Sequence, residues 1–512
     1  MSFNSYVYVF AFLPVVFVGY QLVRTTRYAN ALLGIASAVF YGWLAAWYLI
    51  PLLISSVLDY FIGKRMAGEA EEAKRRRLLA LSVTVNIGML AAFKYTGWIS
   101  AEIAGIAGIF GVSFAAVSFA LPPGISFYTF QTMSYTIDVF KGEFKPRRNF
   151  VDYMSFVSFF PQLVAGPIER ATHLLPQLER VRPRVSASVA SGAMFMILFG
   201  LFQKTVLADN FGGIVDFAAS SIDKTGATPL APGMGLAFAY GFAFQIYCDF
   251  AAYSTIARGT ARLFGIELMR NFATPYLSRN PSEFWTRWHI SLSQWLRDYL
   301  YIPMGGSHEG QLKTLRNLVI TMTLGGLWHG AGVFFVIWGL YHGLLLVLYR
   351  LVPIDVFLER RLGRFGQFVS TLIFFHLVCI GWIFFRASPD QFWPIVNSIV
   401  ALPGALVDRL VVYQPYWEAV WVGDRSFWGT LLRTVKGVLY FQHNPVFLFW
   451  GIVLFGLPVL VTDWLGYRKG KEFADLWDSM PTWVRAVCTL ALVYGIVFFA
   501  RREANEFIYF QF

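Results

Sequence analysis

Apolar residues run along this chain in long blocks, with charged residues confined to short clusters between them. Residues 28–58, 103–137 and 317–349 contain no Asp, Glu, Lys or Arg at all. A helix rises about 1.5 Å per residue, so about 20 apolar residues cross a bilayer core. Each charge-free block exceeds one crossing. The pattern predicts a first helix over 1–22, then spans near 29–43, 46–63, 78–97, 122–140, 187–207 and 231–264. Two more helices fit within 317–350, followed by 366–386, 389–405, 446–466 and 482–500. Residues 100–120, rich in Ala, Gly and Phe, read as a separate interfacial helix, and 406–445 as an interfacial segment on the outer side. The apolar stretch 150–178 is broken by Pro161, Gly166 and Pro167, and broken backbone at membrane depth needs protein or a cavity to satisfy its polar groups. In 270–316 Arg, Asp, Trp and Ser interleave without a clean apolar run, which predicts short helices dipping into the bilayer. The fold class is all-α: a polytopic membrane protein of about eleven spans with re-entrant and interfacial helices. One membrane-embedded domain covers 1–512, with 265–350 as its catalytic core segment.

Composition agrees with this pattern. The 512 residues are 57% hydrophobic and only 14% charged, against roughly 25% charged in soluble domains. The net charge of +12 does not point to nucleic acid, because the basic residues sit between apolar runs where the positive-inside rule accounts for them. Arg24 and Arg27 follow an uncharged first run, which places the N-terminus outside. Counting spans returns residues 64–77, with six basic and three acidic side chains, to the cytoplasm. The 1–22 segment lacks the basic start of a cleaved signal peptide and reads as a retained helix. Cys248, Cys379 and Cys488 lie in apolar segments at no metal-ligand spacing and read as small core residues. No metal or dinucleotide signature is present, the Gly305-Gly306 pair lacking the required context.

Ionisable groups in apolar segments are candidates for function. His329 lies in Leu324-Gly325-Gly326-Leu327-Trp328-His329-Gly330, inside a charge-free block. A histidine can accept a proton near neutral pH, as activation of a hydroxyl requires. Equally, it can bond a neighbouring helix while the glycines serve packing. His289 stands in Glu283-Phe284-Trp285-Thr286-Arg287-Trp288-His289-Ile290-Ser291-Leu292-Ser293, which reads either as the wall of a polar ligand site or as an interfacial aromatic belt. Arg297 and Asp298 can pair with each other. His342 and His376 read as satisfied core histidines, and His173, His308 and His443 as loop residues.

Three of these runs together resemble the membrane-bound O-acyltransferase family, and within it the bacterial alginate O-acetyltransferase type. They are Phe284 to Ser293, Trp295-Leu296-Arg297-Asp298-Tyr299-Leu300-Tyr301 and Gly325-Gly326-Leu327-Trp328-His329-Gly330-Ala331. The run Leu121-Pro122-Pro123-Gly124-Ile125-Ser126-Phe127-Tyr128, the run Phe160 to Pro167 and the C-terminal Phe507-Ile508-Tyr509-Phe510-Gln511-Phe512 support the likeness. The resemblance implies a ring of tilted helices around a thin wall pierced by a tunnel, with His329 and His289 as the catalytic residues, His329 as the base and His289 orienting the donor or stabilising the oxyanion. It implies a bacterial inner-membrane location and acetyl-CoA as donor substrate, with no resident cofactor. The acetyl group would pass outward to an extracytoplasmic polysaccharide, directly or through a periplasmic partner enzyme, with or without an acetyl-histidine intermediate. Trp285, Arg287, Trp288, Ser293, Arg297, Asp298, Tyr299, Asn317, Trp328, Tyr247 and Asp249 are the candidate binding residues. Lys313 and Arg316 join Arg287 and Arg297 as candidate phosphate contacts by charge and side. The chain departs from the pattern at Ala251-Ala252, where relatives usually show Ser-Gly, and at Thr255, where they show Asp. Two other readings remain: D-alanyl transfer from a carrier protein to teichoic acid, and a proton-relaying transporter or flippase. The transporter would be expected to show inverted repeats, and none is evident.

Overall fold

A computed structural model of the chain describes residues 1–25, 28–146, 149–182, 184–223, 228–405, 445–501 and 507–508. Among these residues all regular structure is helical. The helices are α1 Leu13–Val23, α2 Ala29–Gly42, α3 Leu49–Ala67, α4 Glu72–Ile109, α5 Ile125–Lys141, α6 Phe150–Ser158, α7 Phe160–Leu163, α8 Ala171–Glu179, α9 Ala187–Phe202 and α10 Asp209–Ser220. They continue with α11 Met234–Leu263, α12 Pro281–Trp285, α13 Ile290–Leu296, α14 Gln311–His329, α15 Val333–Leu351, α16 Ile354–Arg386, α17 Pro389–Val400, α18 Pro445–Lys469 and α19 Thr482–Phe499. Short π-helical and 3₁₀ turns, such as Gln203–Ala208 between α9 and α10, link several of them.

Seven helices in the described residues are long and apolar enough to cross a membrane, and Tyr8–Val23 and Ala29–Gly42 are shorter apolar helices. The difference from eleven has a physical reason. Helix α11 is buried along almost its whole length and α5 over most of it, so their outer surfaces meet protein rather than lipid and can carry polar residues. Four other segments depart from the pattern their sequence predicts. Residues 100–109 continue α4 as one 38-residue helix. It stops at the glycines around Gly111 (φ 75°), and the following non-helical stretch is tied back by Ser100 Oγ, which bonds the carbonyl and amide of Val117. Within 389–405 the chain forms the 12-residue α17, about 18 Å long and too short to cross, and becomes helical again at 402–405 after a turn at Ala401. A Ser388–Gln391 capping box and Pro389 start α17, and Pro394 lies within it. Helix α16 begins at Ile354 rather than near 366, with a break at Gly363 where φ is 58°, so Arg360, Arg361 and Arg364 lie on helix. The 187–207 span continues through the π-turn to Ser220. The expected interfacial segment at 406–445 lies, except for Pro445, outside the described residues.

The predicted broken stretch at 150–178 is three short helices whose centre is almost completely buried. Close packing elsewhere rests on glycine. A Cβ on Gly200 would come 2.6 Å from Ile256 Cγ1, and one on Gly259 2.7 Å from the Ala193 carbonyl, so α9 and α11 cross nearly backbone to backbone. Helices α3, α4 and α5 are joined instead by buried polar groups. Asp59 accepts from Ser82 Oγ at 2.6 Å and Asn86 Nδ2 at 2.8 Å, and Ser55 Oγ donates to Asn86 Oδ1 at 2.6 Å. Bonds of this kind between helices bind bundles where no water competes.

One end of the bundle gathers the basic segments. Arg75 at the start of α4 donates to the Phe140 carbonyl at the end of α5 (2.6 Å). Arg170 pairs with Asp298 at 3.2 Å and lies over the Tyr299 ring. Arg258, at the end of α11, clamps Glu472 and Asp475. Cys248 and Cys379 are buried, Cys488 half-buried, and all three are free thiols.

Candidate active site

The site begins with the crossing of α14 and α15. A Cβ on Gly326 would lie 2.2 Å from the Phe335 carbonyl, and one on Gly339 2.4 Å from the Met322 carbonyl. Only glycine permits this approach, and it brings Trp338 of α15 to the end of α14. His329 is the last residue of α14 and is buried. Its ring meets Trp328 at 5.0 Å, Trp338 at 5.1 Å and Phe385 at 5.4 Å between centroids. His289 enters from a different element. It is the N-cap of α13, with left-handed backbone (φ 43°, ψ 55°), which few side chains other than Asn, Asp and His adopt. Its ring packs edge-on to Phe250 at 4.6 Å and lies 6.2 Å from that of His329. The structure therefore brings together two histidines 40 positions apart, within one buried aromatic layer.

A cleft reaches His329 between Lys94 of α4, the Pro122–Pro123–Gly124 turn, Ser126, Phe127 and Trp328. Further along α14 a second cavity is lined by Trp285, Ile290, Ser293, Arg297, Thr321 and Met322. Met322 precedes His329 by seven residues, so the two recesses are about 10 Å apart along the helix axis. The second lies toward the basic end, from which α14 starts.

The remaining candidates divide between cavity walls and supporting bonds. Trp285, Ser293 and Arg297 line the second cavity, Trp328 the first. Arg287 is paired with Glu283 at 2.6 Å, and Arg297 with Asp298 at 2.7 Å. Tyr299 donates to Asp138 at 2.6 Å. Asn317 holds the turn at the carbonyls of Met304 and Gly306 (3.0 and 3.2 Å) and accepts from Arg316. Lys313 pairs with Glu309 at 2.9 Å. Trp288 is buried against Phe284, Phe272 and Trp382. Tyr247 donates to Asp463 at 2.8 Å, beside a third recess that also includes Thr274 and Glu472. Asp249 accepts from Lys204 (2.8 Å) and from the amide of Ile508 (2.6 Å), while Lys204 also pairs with Asp209 (2.9 Å). This buried triad anchors the C-terminal Phe507-Ile508 pair, and Phe507 in turn touches Phe250, the neighbour of His289.

His342 corrects the reading from sequence. It is buried as expected, but neither ring nitrogen has a hydrogen-bond partner among the described residues, and it shares Trp338 with His329 (4.9 Å from His342). His376 is satisfied by Tyr240 and the Leu372 carbonyl, but on an exposed flank. His173 bonds Glu169 at 2.6 Å, and His443 lies outside the described residues. Sequence reasoning passed over Lys94 and Tyr95, which reach the end of α14, because they sit mid-helix and 232 to 235 positions from their partners in the chain. Among the described residues no group of three His, Cys, Asp or Glu side chains could hold a metal ion.

The chain is thus an all-helical membrane protein whose two central histidines share a buried aromatic layer, with a cleft opening on one of them. The sequence profile of the membrane-bound O-acyltransferase family matches residues 43–380, and the chain belongs to that family: it is an acyltransferase and a multi-pass membrane protein. It is 39% identical to a probable alginate O-acetylase of Pseudomonas aeruginosa over 85% of this chain and 84% of the relative. It is 34% identical to a peptidoglycan O-acetyltransferase of Helicobacter pylori over 100% and 98% of the two chains. A teichoic acid D-alanyltransferase of Bacillus subtilis is 27% identical over 52% of this chain and 69% of the relative.

Proposed function

We propose that this acyltransferase carries acetyl from cytoplasmic acetyl-CoA to a hydroxyl of an extracytoplasmic polysaccharide, directly or through a periplasmic partner enzyme. The observation that carries the reading is the position of His329 at the end of α14, open to one cleft and about 10 Å along the helix from a second cavity on the basic side. The two relatives matched over most of their length are both named for O-acetyl transfer, whereas the D-alanyl relative matches about half of this chain. By the positive-inside rule the basic end faces the cytoplasm and the N-terminus the periplasm, and the membrane of this reading is the inner one, the one that cytoplasmic acetyl-CoA can reach. Anionic CoA meets that end, near Arg297, and its thioester is the part that advances toward His329. The working unit is segment 265–350 of a single membrane-embedded domain.

In the transfer step the His329 imidazole takes the proton of the acceptor hydroxyl while its oxygen forms a bond to the thioester carbonyl carbon. The carbon–sulfur bond of the tetrahedral species then breaks, and the departing thiolate takes the proton back from the imidazolium. His289, in the same layer, orients the thioester or stabilises its oxyanion. The burial of both rings keeps water from competing for the acyl group.

The test uses the full chain in lipid nanodiscs with labelled acetyl-CoA. The unmodified protein transfers label to a polysaccharide acceptor; His329→Ala loses on the order of 10²–10⁴-fold in rate while keeping donor binding and melting temperature. Label taken only from a D-alanyl carrier protein, or undiminished transfer by the variant, overturns the reading.

A further inference from the structure

The His329 ring is walled in by aromatic side chains from three helices. Trp328 of α14, Trp338 of α15 and Phe385 of α16 all stand edge-on to it. Just beyond it, a Cβ on Gly330 would lie 2.2 Å from the Phe335 ring. Trp338 is held by the glycine crossing of α14 and α15 and stacks on Trp382 at 5.8 Å. Interiors packed in this way yield little to a change of volume. The space that opens on His329 is the cleft, whose volume is about 50 Å³.

On the side toward His289 that cleft is closed by Phe127, in the first turn of α5. Gly124, the N-cap of this helix, has φ 80°, and a Cβ there would lie 2.4 Å from the Leu163 carbonyl. The turn is therefore pressed against the chain behind it, and α5 starts at a fixed point. The Phe127 ring centre lies 5.5 Å from that of Trp328 and 6.1 Å from that of His289. Phe127 lines the cleft together with His329, and His289 does not. The phenyl ring thus covers His289 from the cleft.

In the transfer step the carbonyl carbon must come to about 3–3.5 Å from the accepting oxygen, which His329 deprotonates. The sulfur departs toward the second cavity, so the remainder of the acyl group shares the cleft with the acceptor. A cavity of about 150 Å³ holds one benzene, with its six carbons. A third of that volume leaves room for about two.

We propose that Phe127 sets the length of the acyl group this protein transfers. Its ring limits the group to about two carbons, and a smaller side chain admits longer groups into the space over His289. The assignment rests on the transfer reading above and adds the residue that selects the acyl length.

The full chain in nanodiscs is given labelled acetyl-, propionyl- or butyryl-CoA with the polysaccharide acceptor of the transfer assay. For the unmodified protein kcat/KM falls about tenfold or more with each added methylene. Phe127→Ala raises the ratio of butyryl to acetyl kcat/KM about tenfold or more, and Phe127→Leu, the milder change in packing, raises it less. Phe335→Leu, behind Gly330, lowers transfer from all three donors in the same proportion. Melting temperatures identify a variant that fails to fold, and Phe127→Leu with the donor series on the unmodified protein then decides. Butyryl transfer as fast as acetyl transfer by the unmodified protein overturns the assignment. So does a parental ratio in both Phe127 variants, or an equal rise of the ratio in Phe335→Leu. Absence of transfer from every donor by the unmodified protein overturns the transfer reading instead.

Discussion

The imidazoles of His289 and His329 lie 6.2 Å apart between ring centres, one at the N-cap of a seven-residue helix and the other at the last residue of a nineteen-residue one. Each ring is thus fixed by a helix end, where backbone direction changes abruptly. The surrounding glycines, caps and aromatic contacts consequently bear on the geometry of the site.

The left-handed backbone of His289 separates its two roles. His289→Asn keeps a residue type that tolerates positive φ, so melting stays close to that of the parent while transfer falls. His289→Val adds backbone strain of about 1–3 kcal/mol and lowers both. Thermal melts and transfer rates of the pair, measured together, check this; equal melting of Asn and Val variants would show that the turn does not depend on residue 289.

The α14–α15 crossing leaves no room for a methyl group at Gly326. Gly326→Ala is expected to cost about 1–3 kcal/mol and to displace His329, lowering kcat more than donor affinity. Gly88→Ala in α4, where a Cβ meets nothing within 4 Å, changes stability by less than about 1 kcal/mol. Melting temperatures and kcat for the two substitutions give the comparison, and similar effects at both positions would refute the close-approach argument.

Asp249 completes a buried triad with Lys204 and Asp209 and holds the Ile508 amide. Removing one partner of a buried ion pair costs on the order of 3–5 kcal/mol. Asp249→Ala should lower the melting temperature and speed amide exchange at Ile508. Parental protection at that amide would mean that something else anchors the C-terminal motif.

His173 sits outside the candidate spans, half-exposed, and its bond to Glu169 raises its pKa above the ordinary 6.5. Since the folded value is the higher one, the pair's contribution is complete below the unfolded value and disappears as the pH climbs through the folded one. Glu169 also accepts from the Met269 amide at 2.6 Å, so the segment leading to His289 is what loosens. His173→Gln should flatten this part of the stability–pH curve in thermal melts, and a slope identical to that of the parent would exclude the pair as its source.

Blocks of apolar residues gave the all-α membrane class directly, because spanning a bilayer requires length and low charge, and both are local properties. The breaks at Pro161 and Gly166 and the short helices of 270–316 were legible for the same reason: proline, glycine and mixed polarity act within a few residues. His329 stood out because an ionisable group in a charge-free block is costly wherever the helix goes. What local reading could not supply was the neighbourhood of each residue. Helices α5 and α11 escape the demand for apolar surfaces only because other helices surround them, so a count of spans from hydropathy depends on packing that hydropathy does not contain. Nothing local to Lys94 points to the carbonyls of Trp328 and His329 that it meets in the fold, and nothing local to Asp249 points to Lys204 and the Ile508 amide. Short-range sequence pattern fixes where a helix starts, stops and breaks; which side chains then share a cavity is decided by contacts between residues hundreds of positions apart, through close packing at glycines and through buried charges that must find partners.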